Sequence, residues 1–280
     1  MSVAAAEPNG TLAPPRPVTP TTILARELDE LCQAVGATGA DAGLLDRLRR
    51  ARDLAAGLDP YLDQCTTVES ADLAELASRT SAIDWTADAA GGGRLEQEML
   101  SGHVEGQVLK FLLHLADATR VLEIGMFTGY SALAMAEQLP ADGVVTACEI
   151  DEAVADVARE QFARSAAGRK ITVEVGPALD TLRRLADRSE PPFDFVFIDA
   201  DKAGYLGYVD FLLNSSLLGP RAVIAVDNTL MQGQPYLDGP HTANGAAIAE
   251  FNAALTDDPR VEQVVIPLRD GLTLIRRTPA

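Results

Sequence analysis

The hydrophobic and polar positions divide the chain into two parts. Up to residue 118, apolar residues recur at the spacing of amphipathic helices, whereas from Thr119 onward short apolar runs alternate with helical patterns. The first 20 residues are instead rich in alanine, proline and threonine, which predicts a disordered or extended arm. We therefore expect three segments: an arm (1–20), a helical extension (21–93) and a larger α/β domain (94–280).

Glycines mark the expected ends of the helices before residue 119. The periodicity predicts two helices between Thr21 and about Gly57, with a break near 36–39, and a further helix around Ala71–Arg79. The run Gly91–Gly93 predicts another break. A long helix is then expected from about Leu95 to Ala118.

The rest of the chain alternates between strand and helix. Seven strands are predicted, at Arg120–Gly125, Val144–Glu149, Ile171–Val175, Phe193–Asp199, Ala222–Asp227, Val261–Pro267 and Leu272–Arg276. Helices are predicted at 131–138, 152–166, 178–186, 206–214 and 245–255, and the last two strands are joined by a hairpin at 268–271. This order predicts a doubly wound, Rossmann-like α/β sheet with one antiparallel strand from the C-terminal hairpin.

Composition narrows the range of functions. The chain has 280 residues, 47% of them hydrophobic, and a formal net charge of -18, which argues against binding to nucleic acid or to an anionic membrane. No apolar run is long enough to span a bilayer and no secretory signal is evident, so a cytoplasmic location is expected. The three cysteines and three histidines are scattered, which favours free thiols and gives neither a zinc pattern nor a Ser-His-Asp pattern.

Two apolar strands end abruptly at polar side chains. One ends at Asp199 and the other, 28 residues further on, at Asp227 followed by Asn228. A strand–helix–strand crossover of this length returns the second strand beside the first, so the three side chains are expected at one sheet edge. Hard oxygen donors favour a divalent cation such as Mg²⁺. The alternative for each residue is a helix cap or an Asx-turn.

A glycine-containing loop follows the first predicted strand. Gly125 and Gly129 permit a tight turn and a close approach to a ligand at a helix N-terminus. The loop is not a dinucleotide-binding fingerprint, because Phe127 stands where a glycine would be needed. Glu149 ends the next strand, where an acid commonly binds the hydroxyls of a ribose. A purely structural turn is the alternative.

In these motifs the chain resembles the cation-dependent class I S-adenosylmethionine (SAM) O-methyltransferases of the catechol and caffeoyl-coenzyme A type. The resemblance rests on LEIG-x-x-TGYS (122–131), GPAL (176–179), FIDADK (197–202), VDN (226–228) and DGLTLIRR (270–277). These motifs occur in the order and spacing of the family and cover roughly residues 95–277. The family implies an enzyme whose C-terminal domain binds SAM and whose partners are a small-molecule substrate and a second copy of the chain, rather than nucleic acid or membrane.

The resemblance also implies roles for individual residues. The metal ligands would be Asp199, Asp227 and Asn228, and the catalytic residues Lys202 and Asp199. The cofactor would be bound by Ser101, Glu123, Gly125, Met126, Thr128, Ser131, Glu149, Ala178 and Asp199. Lys202 could accept the substrate proton if burial beside the cation lowers its pKa.

The substrate is assigned by a closer resemblance. The segments 54–67, 95–103 and 242–245 look like the branch of the family that methylates demethyl-4-deoxygadusol in mycosporine-like sunscreen biosynthesis. Methylation of a catechol or a caffeoyl-type phenol is the alternative within the same chemistry. A nicotinamide-dependent oxidoreductase and a non-catalytic binding protein are the alternatives from other classes.

Several further side chains are interpreted without a chemical role. Tyr205 and Tyr208 are expected to pack, and Trp85 to lie in the core or at a dimer contact. His103 is either a residue that approaches the cofactor or a polar loop residue. The other residues considered are Cys148 as an apolar filler, Asp201 as a solvated neighbour, and Met231, Gln232 and Tyr236 as candidates for the pocket wall.

Overall fold

The computed structural model describes residues 16–39, 41–83, 85 and 99–279. Three sequence predictions therefore lie outside the described residues: most of the N-terminal arm, the break at 91–93 and the first residues of the long helix. Near the N-terminal end of the described residues, Thr19 caps the first helix through a capping box with Thr22, and Pro20 occupies the first turn. The helical part thus starts close to its predicted boundary.

Ten α-helices are formed by the described residues. Five precede the first strand: α1 (Pro20–Ala37), α2 (Ala42–Ala56), α3 (Leu58–Cys65), α4 (Ala71–Ser81) and α5 (His103–Ala116). The other five are α6 (Tyr130–Gln138), α7 (Glu152–Phe162), α8 (Ala178–Asp187), α9 (Tyr205–Asn214) and α10 (Ala243–Thr256). The short helix α3 was not predicted, since its eight residues are too few to show a clear period.

The sheet contains the seven predicted strands. They are β1 (Arg120–Ile124), β2 (Val144–Glu149), β3 (Ile171–Val175), β4 (Phe193–Ile198), β5 (Leu218–Val226), β6 (Val261–Ile266) and β7 (Leu272–Arg277). Their spatial order is β3-β2-β1-β4-β5-β7-β6. Strand β7 is antiparallel to both of its neighbours, and it lies second from the edge because the other strand of the hairpin covers it. This architecture confirms the predicted fold class.

Two hydrophobic layers enclose the sheet. Alternate residues of β4 illustrate the division, since Phe195 and Phe197 pack on the α5 and α6 side while Val196 and Ile198 pack on the α8, α9 and α10 side. The central strands are buried on both faces, as expected for parallel strands covered by helices. The sheet therefore forms a rigid base whose carboxyl edge positions the polar residues that follow the strands.

The long helix predicted from Leu95 is shorter in the structure. Residues 100–102 are not helical, and α5 begins only at His103. Gly102 has φ +79°, a left-handed conformation that interrupts a right-handed helix at this point. The prediction was therefore wrong for residues 100–102, which instead cross the carboxyl edge of the sheet beside the first glycine loop.

The remaining global predictions concern thiols and membrane spans. Cys32, Cys65 and Cys148 are all free. Cys148 is buried within β2, as expected of an apolar filler, and burial raises the pKa of its thiol to about 12. Among the described helices, none combines the length and apolar character needed to cross a bilayer.

Candidate functional site

The acids that follow β4 and β5 lie next to each other, as predicted. The amide of Asp199 donates to the carbonyl of Ile124 at 2.9 Å, and the amide of Asp227 donates to the carbonyl of Ile198 at 2.9 Å. These bonds extend the parallel ladder by one residue beyond each strand. The two acids are therefore held at the carboxyl edge of the sheet by backbone hydrogen bonds.

Lys202 lies between these polar side chains. Its Nζ donates to Asp199 Oδ1 at 2.9 Å, to Asn228 Oδ1 at 2.6 Å and to the hydroxyl of Tyr205 at 2.7 Å. Tyr205 in turn donates to the carbonyl of Asp227 at 3.1 Å. The oxygen atoms of Asp199 and Asn228 thus converge on one positive charge.

The electrostatics of this cluster follow from its burial. Burial lowers the pKa of Lys202, but the carboxylate of Asp199, together with Tyr205 and Asp227, outweighs it and leaves that pKa raised. Burial raises the pKa of Asp227 to about 7, and the charge of Asp199 adds to the effect. Among the residues present, Lys202 is therefore a protonated donor.

Tyr205 has a larger part in this cluster than the sequence suggested. Its ring is fully buried and packs edge-on against Phe251 with ring centroids 5.6 Å apart, which confirms the packing role. Its hydroxyl, however, contacts Lys202. The three-residue spacing from Lys202 at the start of a helix is the sequence signal that could have identified this contact.

The glycine loop between β1 and α6 lies directly against the end of β4. A Cβ on Gly125 would stand 2.0 Å from the carbonyl oxygen of Asp199, and Gly125 has φ +89°. A Cβ on Gly129 would stand 2.3 Å from the ring of Phe162. Both glycines are therefore required by contacts within the protein. The first of them joins the glycine loop to the strand that ends at Asp199.

Glu149, at the end of β2, supports the same loop. Its Oε2 accepts from the amide of Phe127 at 2.8 Å, and its Oε1 accepts from the amides of Ile150 at 2.8 Å and Asp151 at 3.0 Å. Burial raises the pKa of this carboxyl, and the backbone amides oppose the rise. Phe127 has φ +52°, so the bond to Glu149 also stabilises a backbone conformation that is rare outside glycine.

Glu123, on β1, has a different environment. It is fully buried, and neither of its carboxylate oxygens has a hydrogen-bond partner among the described residues. Burial raises the pKa of Glu123 to about 8; the nearby Ser131 hydroxyl opposes this without forming a well-aligned hydrogen bond. Buried polar atoms are normally paired, so this carboxyl is an exception that calls for a ligand.

Five of the predicted cofactor residues meet in one crevice. Its walls include Ser101, Gly125, Met126, Ser131 and Asp199, together with Phe127 and Tyr130. Thr128 is fully buried, and its hydroxyl is hydrogen-bonded to that of Thr80 on α4 at 2.8 Å, which gives it a structural partner. Ala178 begins α8 and is half-buried.

Sequence reasoning missed a buried ion pair beside this crevice. Glu105 on α5 is 1% exposed and accepts a hydrogen bond from Arg269 at 3.1 Å. Arg269 lies in the turn between β6 and β7 and also donates twice to the carbonyl of Leu100, at 3.3 Å each. The two residues are separated by 164 positions in the chain, so no local pattern could have paired them.

The other residues considered in the sequence have clear positions. Trp85 stacks on Phe127 with centroids 4.8 Å apart, rather than lying in the core. His103 is not in a loop but in the first turn of α5, with Nδ1 at 3.0 Å from Asp63 Oδ1. Tyr208 donates to the exposed Asp201 at 2.5 Å. Tyr236 lines a separate cavity of about 460 Å³ between α10 and β6 that includes none of the predicted catalytic or cofactor residues.

The residues present fit both groups that the sequence implies. Lys202 stands in for a cation, because its ammonium is bound by oxygens of two of the three predicted ligands. Among the described residues no three His, Cys, Asp or Glu side chains form a metal-binding group, so such a site would depend on the amide of Asn228 beside the two carboxylates. The unpaired carboxyl of Glu123 would offer an acceptor to the amino group of such a cofactor.

Comparisons with known proteins identify the family to which the chain is similar. A family model described as O-methyltransferase matches residues 87–278. Caffeoyl-CoA O-methyltransferase 2 of Zea mays is 40% identical over 181 residues, which are 62% of this chain and 68% of that protein.

Solved structures show the same similarity. The SAH-bound methyltransferase PaMTH1 of Podospora anserina aligns with a TM-score of 0.70 and 28% identity, over 81% of this chain and 96% of that one. The O-methyltransferase of Bacillus cereus, in complex with SAH, aligns with a TM-score of 0.68 and 26% identity, over 79% and 97%. SAH is the product that SAM leaves after methyl transfer.

Proposed function

Since the chain belongs to the O-methyltransferase family and is a SAM-dependent O-methyltransferase, we propose that it methylates a hydroxyl of a small cyclic substrate with vicinal oxygens in a Mg²⁺-dependent reaction. The preferred substrate is demethyl-4-deoxygadusol, giving 4-deoxygadusol. We also propose that the protein is a cytoplasmic homodimer and that its chain divides into the three predicted segments. The observation on which it depends is the convergence of Asp199 and Asn228 on one positive charge.

The proposed roles follow the positions of the side chains. Asp199, Asp227 and Asn228 would hold the cation, which would supply a positive charge that lowers the pKa of the substrate hydroxyl. Glu123 would bind the amino group of SAM, and Glu149 would bind the ribose with the lone pairs that the three backbone amides leave free. Ser101, Gly125, Met126, Ser131 and Asp199 would line the crevice, whereas Thr128 and Ala178 are not among its wall residues.

Lys202 is proposed to hold or accept the proton of the substrate hydroxyl. The carboxylates of Asp199 and Asp227 raise its pKa, so neutralising them would remove much of the interaction that keeps it protonated. Tyr205 fixes the position of its Nζ. The substrate oxygen then attacks the methyl group, a bond from carbon to oxygen forms and the bond from carbon to sulfur breaks. Correct alignment of two bound reactants is worth roughly 7–11 kcal/mol in favourable cases.

A caffeoyl-type phenol is the second candidate substrate. The 40% identity to the Zea mays caffeoyl-CoA O-methyltransferase favours it directly. Both candidates require the same site and differ only in the acceptor. The nicotinamide-dependent and non-catalytic alternatives are set aside, because the family relationship identifies a methyltransferase.

Labelled SAM identifies the acceptor. The purified protein is incubated with demethyl-4-deoxygadusol, with catechol and with caffeoyl-CoA, each with and without EDTA. We expect methylation of the cyclohexenone that EDTA abolishes and added Mg²⁺ restores. Activity on the phenols alone would retain the chemistry and reject the preferred substrate, whereas turnover that is insensitive to EDTA would reject the cation.

The cation ligands are tested by substitution. Asp199→Asn is expected to reduce kcat/KM by more than about 100-fold, since even partners outside the ligand shell are commonly worth 10–100-fold. Asp257→Asn is the matched control, because it removes one exposed carboxylate at the end of α10. Equal losses in both variants would show that the effect is not specific to the proposed site.

A further inference from the structure

The turn between β6 and β7 connects the two halves of the proposed site. The carbonyls of Gly271 and Asp270 accept from the amides of Thr229 and Leu230, at 3.0 and 2.8 Å. Asp270 Oδ1 also accepts from the amide of Gln232 at 2.6 Å. The turn is therefore bonded to the loop that follows Asp227 and Asn228, and its position is fixed relative to the proposed cation ligands.

The same turn is bonded to the segment on the cofactor side. The guanidinium of Arg269 donates to the carbonyl of Leu100, next to Ser101 in the crevice wall, and to Glu105 Oε2. Arg269 itself has φ +48°, an uncommon conformation for a residue with a long side chain. A planar guanidinium with several donors suits such a double contact, which an ammonium could not reproduce.

The second carboxylate oxygen of Glu105 is not used by Arg269. Oε1 is buried and has no hydrogen-bond partner among the described residues. The carboxyl of Glu105 neighbours that of Asp227, and both are buried. Burial raises the pKa of Glu105, the charges of Asp227 and Asp199 add to this, and Arg269 opposes it. A bound cation would stabilise two buried carboxyl groups that neighbour each other.

We propose that Glu105, held by Arg269, is a positioning residue of the cation site whose carboxylate, ionised when a cation is bound, adds negative charge beside Asp227. The inference rests on the proposed cation site and goes beyond it, because Glu105 is on α5, outside the strand ends that provide the ligands. Arg269 has a separate effect: it fixes residues 100 and 101 and so contributes to the cofactor side.

Binding of Mn²⁺, followed by its electron paramagnetic resonance signal without substrate, tests the proposal. Glu105→Gln is expected to weaken Mn²⁺ binding by about tenfold or more, because the amide removes a charge and places a donor against Asp227. SAM affinity should change less than threefold. Glu250→Gln, which removes an exposed carboxylate on α10, is the control and should bind Mn²⁺ like the unchanged protein.

Two further variants separate the possible outcomes. Asp199→Asn tests the cation site itself: if it binds Mn²⁺ as the unchanged protein does, the proposed function fails independently of Glu105. Glu105→Asp keeps the charge but withdraws it from Asp227, so an affinity several-fold below that of the unchanged protein is expected even if Glu105→Gln does not fold. Unchanged Mn²⁺ affinity in Glu105→Gln or Glu105→Asp, with loss in Asp199→Asn, would overturn the inference.

Arg269→Lys is expected to give the opposite pattern. It keeps one positive charge near Glu105 but loses the paired bonds to the carbonyl of Leu100. SAM binding should weaken several-fold while Mn²⁺ binding remains within about threefold. Equal weakening of both ligands in both variants would indicate a general structural defect and would contradict a specific role for Glu105.

Discussion

Glu123 and Glu149 occupy neighbouring parallel strands at the same edge of the sheet, yet their surroundings differ. Both carboxyl groups are buried. Glu149 accepts three hydrogen bonds from backbone amides, whereas neither oxygen of Glu123 has a partner among the described residues. Both carboxylate oxygens of Glu149 therefore have hydrogen-bond partners within the protein. The carboxyl of Glu123 can still accept a hydrogen bond, as expected of a residue in a binding site.

The largest expected effect on stability comes from replacing Glu149, whose carboxylate already accepts hydrogen bonds from the backbone. Glu149→Gln replaces an oxygen by an amide nitrogen that faces backbone donors, so a buried N–H remains unpaired. We expect a loss of about 3 kcal/mol or more in the free energy of unfolding, measured by urea denaturation. A loss below 1 kcal/mol would contradict the structural role of Glu149 and make the two acids equivalent.

A pH series tests the unpaired state of Glu123. Burial raises the folded-state pKa of Glu123 to about 8, above its ordinary value of 4.5. Its contribution to stability is therefore fully present below about pH 4.5 and is lost as the pH rises toward 8. Asp227 and Asp270, whose pKa values are raised to about 7 and about 6, add to the same trend.

Glu123→Gln should flatten this dependence. The melting temperature of the unliganded variant is expected to exceed that of the unchanged protein increasingly between pH 5 and pH 8, because the variant has no carboxyl to ionise at this position. The slope due to the other acids should remain. Parallel curves for the two proteins would show that Glu123 is paired after all.

The smallest effect concerns the second support of the glycine loop. The buried hydrogen bond between Thr80 and Thr128 joins α4 to this loop on the side opposite Glu149. Thr80→Val keeps the shape and removes the bond, at a cost of about 1 kcal/mol in unfolding free energy. Because Trp85 is the single tryptophan of the chain and stacks on Phe127, its fluorescence reports the position of the loop. An unchanged spectrum and stability would assign the support of the loop to Glu149 alone.

The sequence was most informative where a local pattern decides the structure. Apolar runs ending at acids placed β2, β4 and β5 and brought Asp199 next to Asp227, because burial on both faces leaves only the strand end for a carboxylate. The sequence assigned both Glu123 and Glu149 to the cofactor, but it did not show that one carboxyl is hydrogen-bonded within the protein and the other is not. Their difference depends on the path of the loop after each strand, which a pattern of residue types does not contain.

Contacts between distant elements could not be predicted. The pair of Glu105 and Arg269 depends on α5 packing beside the β6–β7 turn, and the bond from Tyr130 to Glu69 joins α6 to the segment after α3. The late start of α5 was not predicted either: Gly102 has a left-handed conformation, and the carbonyl of Leu100 accepts from Arg269. Such tertiary contacts override the local helical period.

Isothermal titration of SAM into the unchanged protein and into Glu123→Gln, at the same pH, tests most directly whether the unpaired carboxyl is kept for a ligand. We expect at least about tenfold weaker binding in the variant, together with an equal or higher melting temperature before ligand is added, because the substitution relieves a buried unpaired carboxyl and removes the acceptor for the amino group of SAM. Unchanged SAM affinity would show that the carboxyl of Glu123 does not bind the cofactor.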